Sequence, residues 1–333
     1  MILFGGGARL ILIYRDVDIS SEIAPMVTSF NYNDKEHGEA DDIDVTVQDS
    51  DGRWRGSWKP DEGDVMVPTI VDSNGSRLPC GEFEMDEPQS VGGRNGDTMV
   101  IRGLAVPITK SLRTQKSWRF VITSLKSFVY EVGGATGLQV EGDIKAIQYV
   151  QKAQRRERDL EFLKRLGEET GHYVNVRGQK LIFTNFKSLD SQSAAFQIFH
   201  GDRRVTKATF QFQTKETYSK AKVSYLDART KEKIEHEEPD PDVKTGDTLS
   251  ITERVEDKSQ AEELAKSRLH MKNRHRKIGT YAGVGDSRVM AGVVAEASGF
   301  GQYDDNYLFQ STAHAMSRSG HTCSGKLVLA RAR

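Results

Sequence analysis

The sequence predicts a mainly β protein with an α/β insertion: two β-barrel modules, over 1–110 and 201–333, flank a small α/β region at 111–200. Three observations carry this reading. Apolar and polar residues alternate through the first and last thirds, the period of half-buried strands. Between them the apolar spacing changes to three and four, the period of helices. The order of elements in the first third then recurs in the last, the mark of an internal repeat.

In the first third, strands are expected over 10–14, 26–33, 42–48, 64–71, 81–87 and 98–103. Between the third and fourth of these lie Trp54 and Trp58, four residues apart. That spacing places both indoles on one face of a short helix as packing anchors for the barrel. An aromatic platform for a sugar is the alternative.

The middle region opens with an amphipathic pattern from Trp118 through Val121, Leu125, Phe128, Val129 and Val132, read as one helix ended by Gly133 and Gly134. A second helix is expected over 158–170, with Leu160, Leu163 and Leu166 inward and Gly171 as its terminator. A hairpin should follow over HYVNVRGQKLIFTNF, turning at residues 177–179.

The last third predicts strands at 205–214, 219–227, 249–255, 290–296, 307–317 and 325–330, with a helix over 259–277. Ala261, Leu264, Ala265 and Leu269 form its inner face. The polar stretch 232–247, EKIEHEEPDPDVKTGD, reads as a surface loop. Phe30 and Tyr32 match Phe210 and Phe212 in the repeat, and the run Val45, Val47, Asp49 matches Val223, Tyr225, Asp227. Gly63 and Gly292 each open a strand that leads, through a turn, to two more. A trimer of such chains would present six similar barrels in a ring.

Composition and chemistry narrow the function. At 37% hydrophobic and 29% charged residues the chain is a globular protein with a heavily solvated surface rather than a disordered one. Lys plus Arg (47) nearly cancels Asp plus Glu (48), so no overall field draws it to nucleic acid or anionic lipid. The apolar run LILIY at 10–14 is too short for a membrane span or a secretion signal. Cys80 and Cys323 alone supply no disulfide framework, which suits synthesis in a reducing cytosol, and neither sits in a nucleophile motif.

No phosphate loop, nucleophile elbow or HExxH stretch occurs. The stretch Glu36-His37-Gly38-Glu39 lacks a helix to aim ligands, and His270 and His275 stand among cations that would repel a metal. The adjacent acidic pairs Asp41-Asp42 and Glu168-Glu169 read as solvated faces. No catalytic residue, metal or cofactor is therefore expected.

Lys266, Arg268, Lys272, Arg274, Arg276 and Lys277 make the 259–277 helix strongly basic. Without interleaved aromatics this is a poor nucleic-acid surface. Acidic runs at 235–242 and 39–44 offer complementary charge, so an interface between subunits or against a tube is the preferred reading, ahead of a solvated face.

The run FNYNDKEHGEADDIDVTVQDSDGRWRGSWKPDEGD with CGEFEMDE, then KSLRTQKSW, RERDLEFLKRLGEETG and STAHAMSRSGHTCSGKLVLAR, resembles in order the late control protein D family of contractile-tail phages, the baseplate hub family. The resemblance covers nearly the whole chain. It implies a homotrimeric, non-enzymatic hub whose two tube-type β-barrels per subunit form a pseudo-six-fold ring under the tail tube. The partners implied are a second and third copy, the tail spike protein, the tail tube or tube initiator protein and other baseplate proteins. No nucleic acid, and no membrane in the assembled resting state, is implied. Synthesis in the bacterial host cytoplasm and residence in the baseplate of a virion or tail particle follow. A tail-associated cell-wall hydrolase is the competing class. His321 stands where the family often has an aromatic residue, and at a subunit contact its titration would tune assembly.

Overall fold

The computed structural model describes residues 1–35, 39–94, 96–105, 114–177, 179–227 and 231–331. Alternation builds the first module. Its strands, in neighbour order, are Arg9–Tyr14, Val65–Val71, Phe83–Val91, Thr98–Leu104, Asp42–Gln48 and Val27–Asp34, each antiparallel to the next. Their inward residues, among them Leu10, Leu12, Phe30, Tyr32, Val45, Phe83 and Ile101, meet in one cluster.

One distance shows how the sheet is shaped. Phe83 and Tyr32 lie three strands apart, which in a flat sheet is about 14 Å. Their ring centroids are 6.1 Å apart, edge to face. The sheet therefore curls round its own core.

The third module repeats the plan. Val294–Ser298, Asp305–Ser317, Gly320–Leu329, Lys277–Val284 and Val205–Phe212 follow one another in the same order, again all antiparallel. Phe210 and Tyr307, also three strands apart, have centroids at 4.8 Å, so this sheet curls too. The register shift between Asp86 and Gln89 has its counterpart between Phe309 and Ser311, at the same step of the ladder. Following the ladders across places Phe210 where Phe30 stands, through Phe30, Val45 and Ile101 on one side and Phe210, Gly279 and Leu327 on the other.

The repeat holds with one correction. Val223, Tyr225 and Asp227 are not the counterpart of Val45, Val47 and Asp49. The strand that does correspond is Lys277–Val284, which the sequence reading missed because GTYAGV offers little apolar alternation. Tyr218–Leu226 instead centres a separate three-stranded sheet with Lys233–Pro239 and Asp247–Ile251. The helix Lys258–Asn273 packs Ala261, Leu264, Ala265 and Leu269 on it.

The expected loop at 232–247 is thus partly strand. Ile234 faces the sheet core, and the ladder carries cross-strand ion pairs such as Lys220 with Glu237 at 2.8 Å, a source of pairing that hydropathy does not register. The helix is also shorter than 259–277. Arg274–Arg276 form a 3-10 turn and Lys277 begins a strand.

In the middle region Lys116–Ser124 is a strand paired with Gln148–Glu157, not the start of a helix. Its run of aromatic and β-branched residues favours extension. Ser124 then caps the helix Leu125–Thr136, its hydroxyl accepting the Ser127 amide. Gly133 and Gly134 lie inside that helix, and Gly137, at φ 67, closes it. Gly133 is where the helix touches Val140: a Cβ there would come within 2.5 Å of its Cγ2. Asp159–Thr170 and its Gly171 cap, and the hairpin of His172–Arg177 with Lys180–Asn185, follow the expected pattern. Phe196–Phe199, within the predicted middle region, pairs with Val294–Ser298 of the third module.

Candidate functional site

The modules join through one strand that is longer than either needs. Asp305–Ser317 pairs with Val294–Ser298 near its start, and its far half, Thr312 to Ser317, runs antiparallel to Ser29–Asp34 of the first module. His314 from this far half stacks on Tyr32, centroids 6.1 Å apart.

Two buried polar groups lock the junction. Asp34 accepts two hydrogen bonds at 2.8 Å from the Arg177 guanidinium and one, also 2.8 Å, from the Ala291 amide, so one carboxylate ties the first module to the middle region and to the third. Arg177 in turn donates to the Ala291 carbonyl at 2.9 Å. Beside them, burial and the charge of Asp34 push the Asp41 carboxyl up to about 8. Asp41 still accepts the Lys35 amide at 2.8 Å.

The second lock is a histidine pair. Burial lowers His314 to about 4, holding it neutral. Its Nε2–H donates to the Val289 carbonyl at 2.7 Å, leaving Nδ1 to accept from His321 Nε2 at 3.0 Å. The other nitrogen of His321 faces Asp72 at 3.3 Å. His321 is therefore buried inside the chain rather than displayed at a subunit contact, and the idea that it tunes assembly from the surface is withdrawn.

The basic helix is occupied within its own chain. Lys266 pairs with Glu262 at 2.5 Å, Arg268 with Glu168 and Glu253 at 2.9 Å each, and Lys272 with Glu216 at 2.9 Å. Arg274, buried, meets Asp190 at 3.2 Å; Arg276 donates to the Asp242 carbonyl at 2.7 Å, and Lys277 pairs with Asp305 at 2.7 Å. Glu262 stands one turn back on the same helix, whereas the other partners come from elements and loops elsewhere in the chain. Only the Asp242 contact uses the acidic 235–242 run foreseen as complementary.

Trp54 and Trp58 sit in consecutive turns rather than a helix, with the Trp58 amide bonded to the Arg53 carbonyl. Their rings meet edge to face at 5.5 Å, Trp54 is buried against Met26, and Arg53 lies over Trp58 at 4.7 Å. They border a cleft with Leu12, Tyr14 and Met66 at one end of the first core.

Among the described residues no cluster of three or more His, Cys, Asp or Glu is placed to hold a metal, and Glu36, His37 and Gly38 lie outside those residues. Cys80 and Cys323 are buried, with burial pushing the Cys323 thiol up to about 12, far from a nucleophile's range. No described helix is long and apolar enough to cross a membrane.

The surface the sequence reading did not foresee is an open sheet edge. Among the described residues Val205–Phe212 pairs on one side only, and Phe212, the counterpart of buried Tyr32, is 42% exposed.

The fold is that of phage tail proteins. It matches the 43 kDa tail protein of prophage MuSo2 from Shewanella oneidensis over 97% of this chain and 99% of that one, at 15% identity and TM-score 0.72. A tail protein from Neisseria meningitidis MC58 matches over 97% and 96%, at 10% identity and TM-score 0.71. A type VI secretion system component from E. coli, the c3393 protein, matches over 96% and 76%, at 11% identity and TM-score 0.63.

Within that class the sequence is similar to two proteins named as probable baseplate hub proteins. That of Escherichia phage P2 is 27% identical over 189 residues, 55% of this chain and 47% of the relative. That of Escherichia phage 186 is 28% identical over 167 residues, 50% and 42%. The matched part thus spans about half the length of these relatives. No family model matches the chain. The resemblance to the baseplate hub family read from the residues is borne out by these relatives.

Proposed function

We propose that the chain is a non-enzymatic structural hub of a contractile phage-type tail, a homotrimeric adapter that joins a six-fold tail tube to a three-fold spike. The observation that carries this is the repeated module. One chain holds two sheets of the same strand order, each curled round an aromatic core, so three chains supply six similar units at the tube and three copies of everything else at the spike. The similarity to probable baseplate hub proteins supports the same reading.

In it the partners are the chain itself, the tail spike protein, the tail tube or tube initiator protein and other baseplate proteins. The place is the baseplate of a virion or tail particle after synthesis in the host cytoplasm. Of the basic set, Arg268, Arg274, Arg276 and Lys277 hold the helix and its neighbours together through the pairs described. The more exposed Lys266 and Lys272 are left to meet adjacent baseplate surfaces. Trp54 and Trp58 act as packing anchors at the end of the first core.

Light scattering coupled to size exclusion tests the adapter, on the chain alone and mixed with the spike protein of the same tail particle. A trimer mass in either state is the expected result. A monomer in both, with no spike bound, would reject it.

A further inference from the structure

We infer that one trapped proton clamps the first module to the third: His314 and His321 together carry three ring protons rather than two, and the cation so formed is held against the carboxylate of Asp72, a contact that opens when the proton leaves. The clamp lies within one chain and does not depend on the hub reading.

Three contacts stand in series, and each needs a proton. His314 Nε2 lies 2.7 Å from the Val289 carbonyl, which can only accept, so Nε2 bears the first. The 3.0 Å gap between His314 Nδ1 and His321 Nε2 holds the second, whichever ring donates it. Asp72 Oδ1 stands 3.3 Å from His321 Nδ1, and a carboxylate oxygen also only accepts, so this contact takes the third. Two neutral imidazoles own two N–H protons; the third makes the pair a cation. Burial keeps His314 neutral, which puts the charge on His321, beside the acid.

Asp72 is placed to balance that charge. Burial alone would raise its carboxyl, but bonds from His321 and Ser287 hold it below its ordinary value, so the proton stays on the ring. Asp72 Oδ2 accepts the Ser287 amide at 2.7 Å, whereas Oδ1 is fully buried with no other described hydrogen-bond partner. Take the third proton away and a buried carboxylate oxygen faces a nitrogen lone pair, a costly arrangement.

The other groups around the pair are committed elsewhere. Asp286 is held by Arg288 at 2.6 Å, and Arg204 by Asp202 at 2.8 Å. Burial raises the hydroxyls of Tyr281 and of Tyr32, which stacks on His314, and pushes the Cys323 thiol up to about 12, so none of them exchanges a proton where an imidazole does. Gly285 makes room for the ring: a Cβ there would stand 2.0 Å from His321 Nδ1. A cleft of about 190 Å3, lined by Asp72, Asn74, Gly285, Asp286 and Arg288, opens beside the pair and gives the proton a path to water. Once it has left, the turn from Asp72 to Ser76 in the first module loses its charged hold on the third and keeps only the Ser287 bond. The clamp is therefore closed on the acid side and open on the alkaline side. Its acid limit is the second proton of His314, lowered to about 4.

Solid-state NMR of the full chain with 15N-labelled histidine rings reads the count. Coupling across the N–H···N bond, and the signals that vanish in His321→Gln, identify the pair. At about pH 6, just under the ordinary histidine value, three of its four ring nitrogens should carry protons. In Asp72→Asn, whose amide can itself donate to Nδ1, the count should fall to two. Raising the pH should strip the third proton from the wild type, and the Gly75 amide, followed through the Asn74–Gly75 peptide, should shift with the same midpoint. Both changes should be absent in Asp72→Asn.

Two protons on the wild-type pair at that pH, or three in Asp72→Asn as well, would overturn the clamp. So would a Gly75 amide that ignores the loss of the third proton. If Asp72→Asn does not fold, the wild-type count and its link to Gly75 decide alone.

Discussion

Val27–Asp34 and Val205–Phe212 occupy the same place in two copies of one sheet, and they differ in almost everything that surrounds them. The first has neighbours on both flanks and buries Phe30 fully; the second has one neighbour among the described residues and leaves Phe210 half-buried. The connections that follow them differ as strongly. Few residues separate Asp34 from Asp42 in the sequence, whereas an entire three-stranded sheet and the helix Lys258–Asn273 lie between Phe212 and Lys277. Loop length is thermodynamically cheap once the ends are held, so the sheet order survives the insertion. The comparison teaches that burial at these positions belongs to the neighbour strand and not to the residue.

The junction offers the harshest way to break that difference. Asp34→Ala removes the described ion-pair partner of the half-buried Arg177 and the fully buried carboxylate that also receives the Ala291 amide. A loss of about 3–5 kcal/mol is expected in urea unfolding. Phe30→Ala should follow at about 3–5 kcal/mol, the usual cost for a fully buried aromatic ring. Phe210→Ala should cost clearly less in the monomer, and equal losses in the two variants would erase the contrast between the modules.

Titration sharpens it more gently. Asp41 has a folded pKa near 8, above the ordinary carboxyl value, so its contribution is full below the usual range near 4 and is lost as pH rises toward 8. Thermal melts should show Asp41→Asn flattening the decline between pH 5 and 8. His314 works in the opposite sense. Lowered to about 4, it contributes above pH 6.5 and loses that contribution as pH falls toward 4, a slope expected to shrink in His314→Gln. The smallest effect belongs to Lys266→Ala, whose ion pair with Glu262 is exposed on one helix face; the melt of the isolated chain should not move.

Much of the fold was legible from the residues. Strong alternation at 10–14, 27–34 and 42–48 marks strands because one face is core and the other solvent. The inner face of Lys258–Asn273 was legible for the same reason at helical period. Lys277–Val284 and Lys233–Pro239 were not. One carries small residues under aromatic rings from other strands, and the other is held by charge pairs across the ladder, so neither writes its partner into its own hydropathy. The helix read from Trp118 failed where two periods overlap, since Val121 and Leu125 satisfy a helical count while Phe120 alone of the aromatic pair turns inward.

The candidate surfaces divide along the same line. Trp54, Trp58 and the six cations are visible as residues, but the turns that bring the indoles together and the partners of Arg268, Lys272, Arg274, Arg276 and Lys277 come from folding. By itself the sequence determined a mainly β chain, the helices Asp159–Thr170 and Lys258–Asn273, and the match of Phe30 with Phe210, because periodicity and aromatic spacing are local properties. Tertiary structure decided which of those matched residues is buried, where Asp34, Arg177, His314 and His321 meet, and which edge stays open. Those outcomes depend on strands far apart in sequence competing for one another's backbone groups, and no local pattern records who wins.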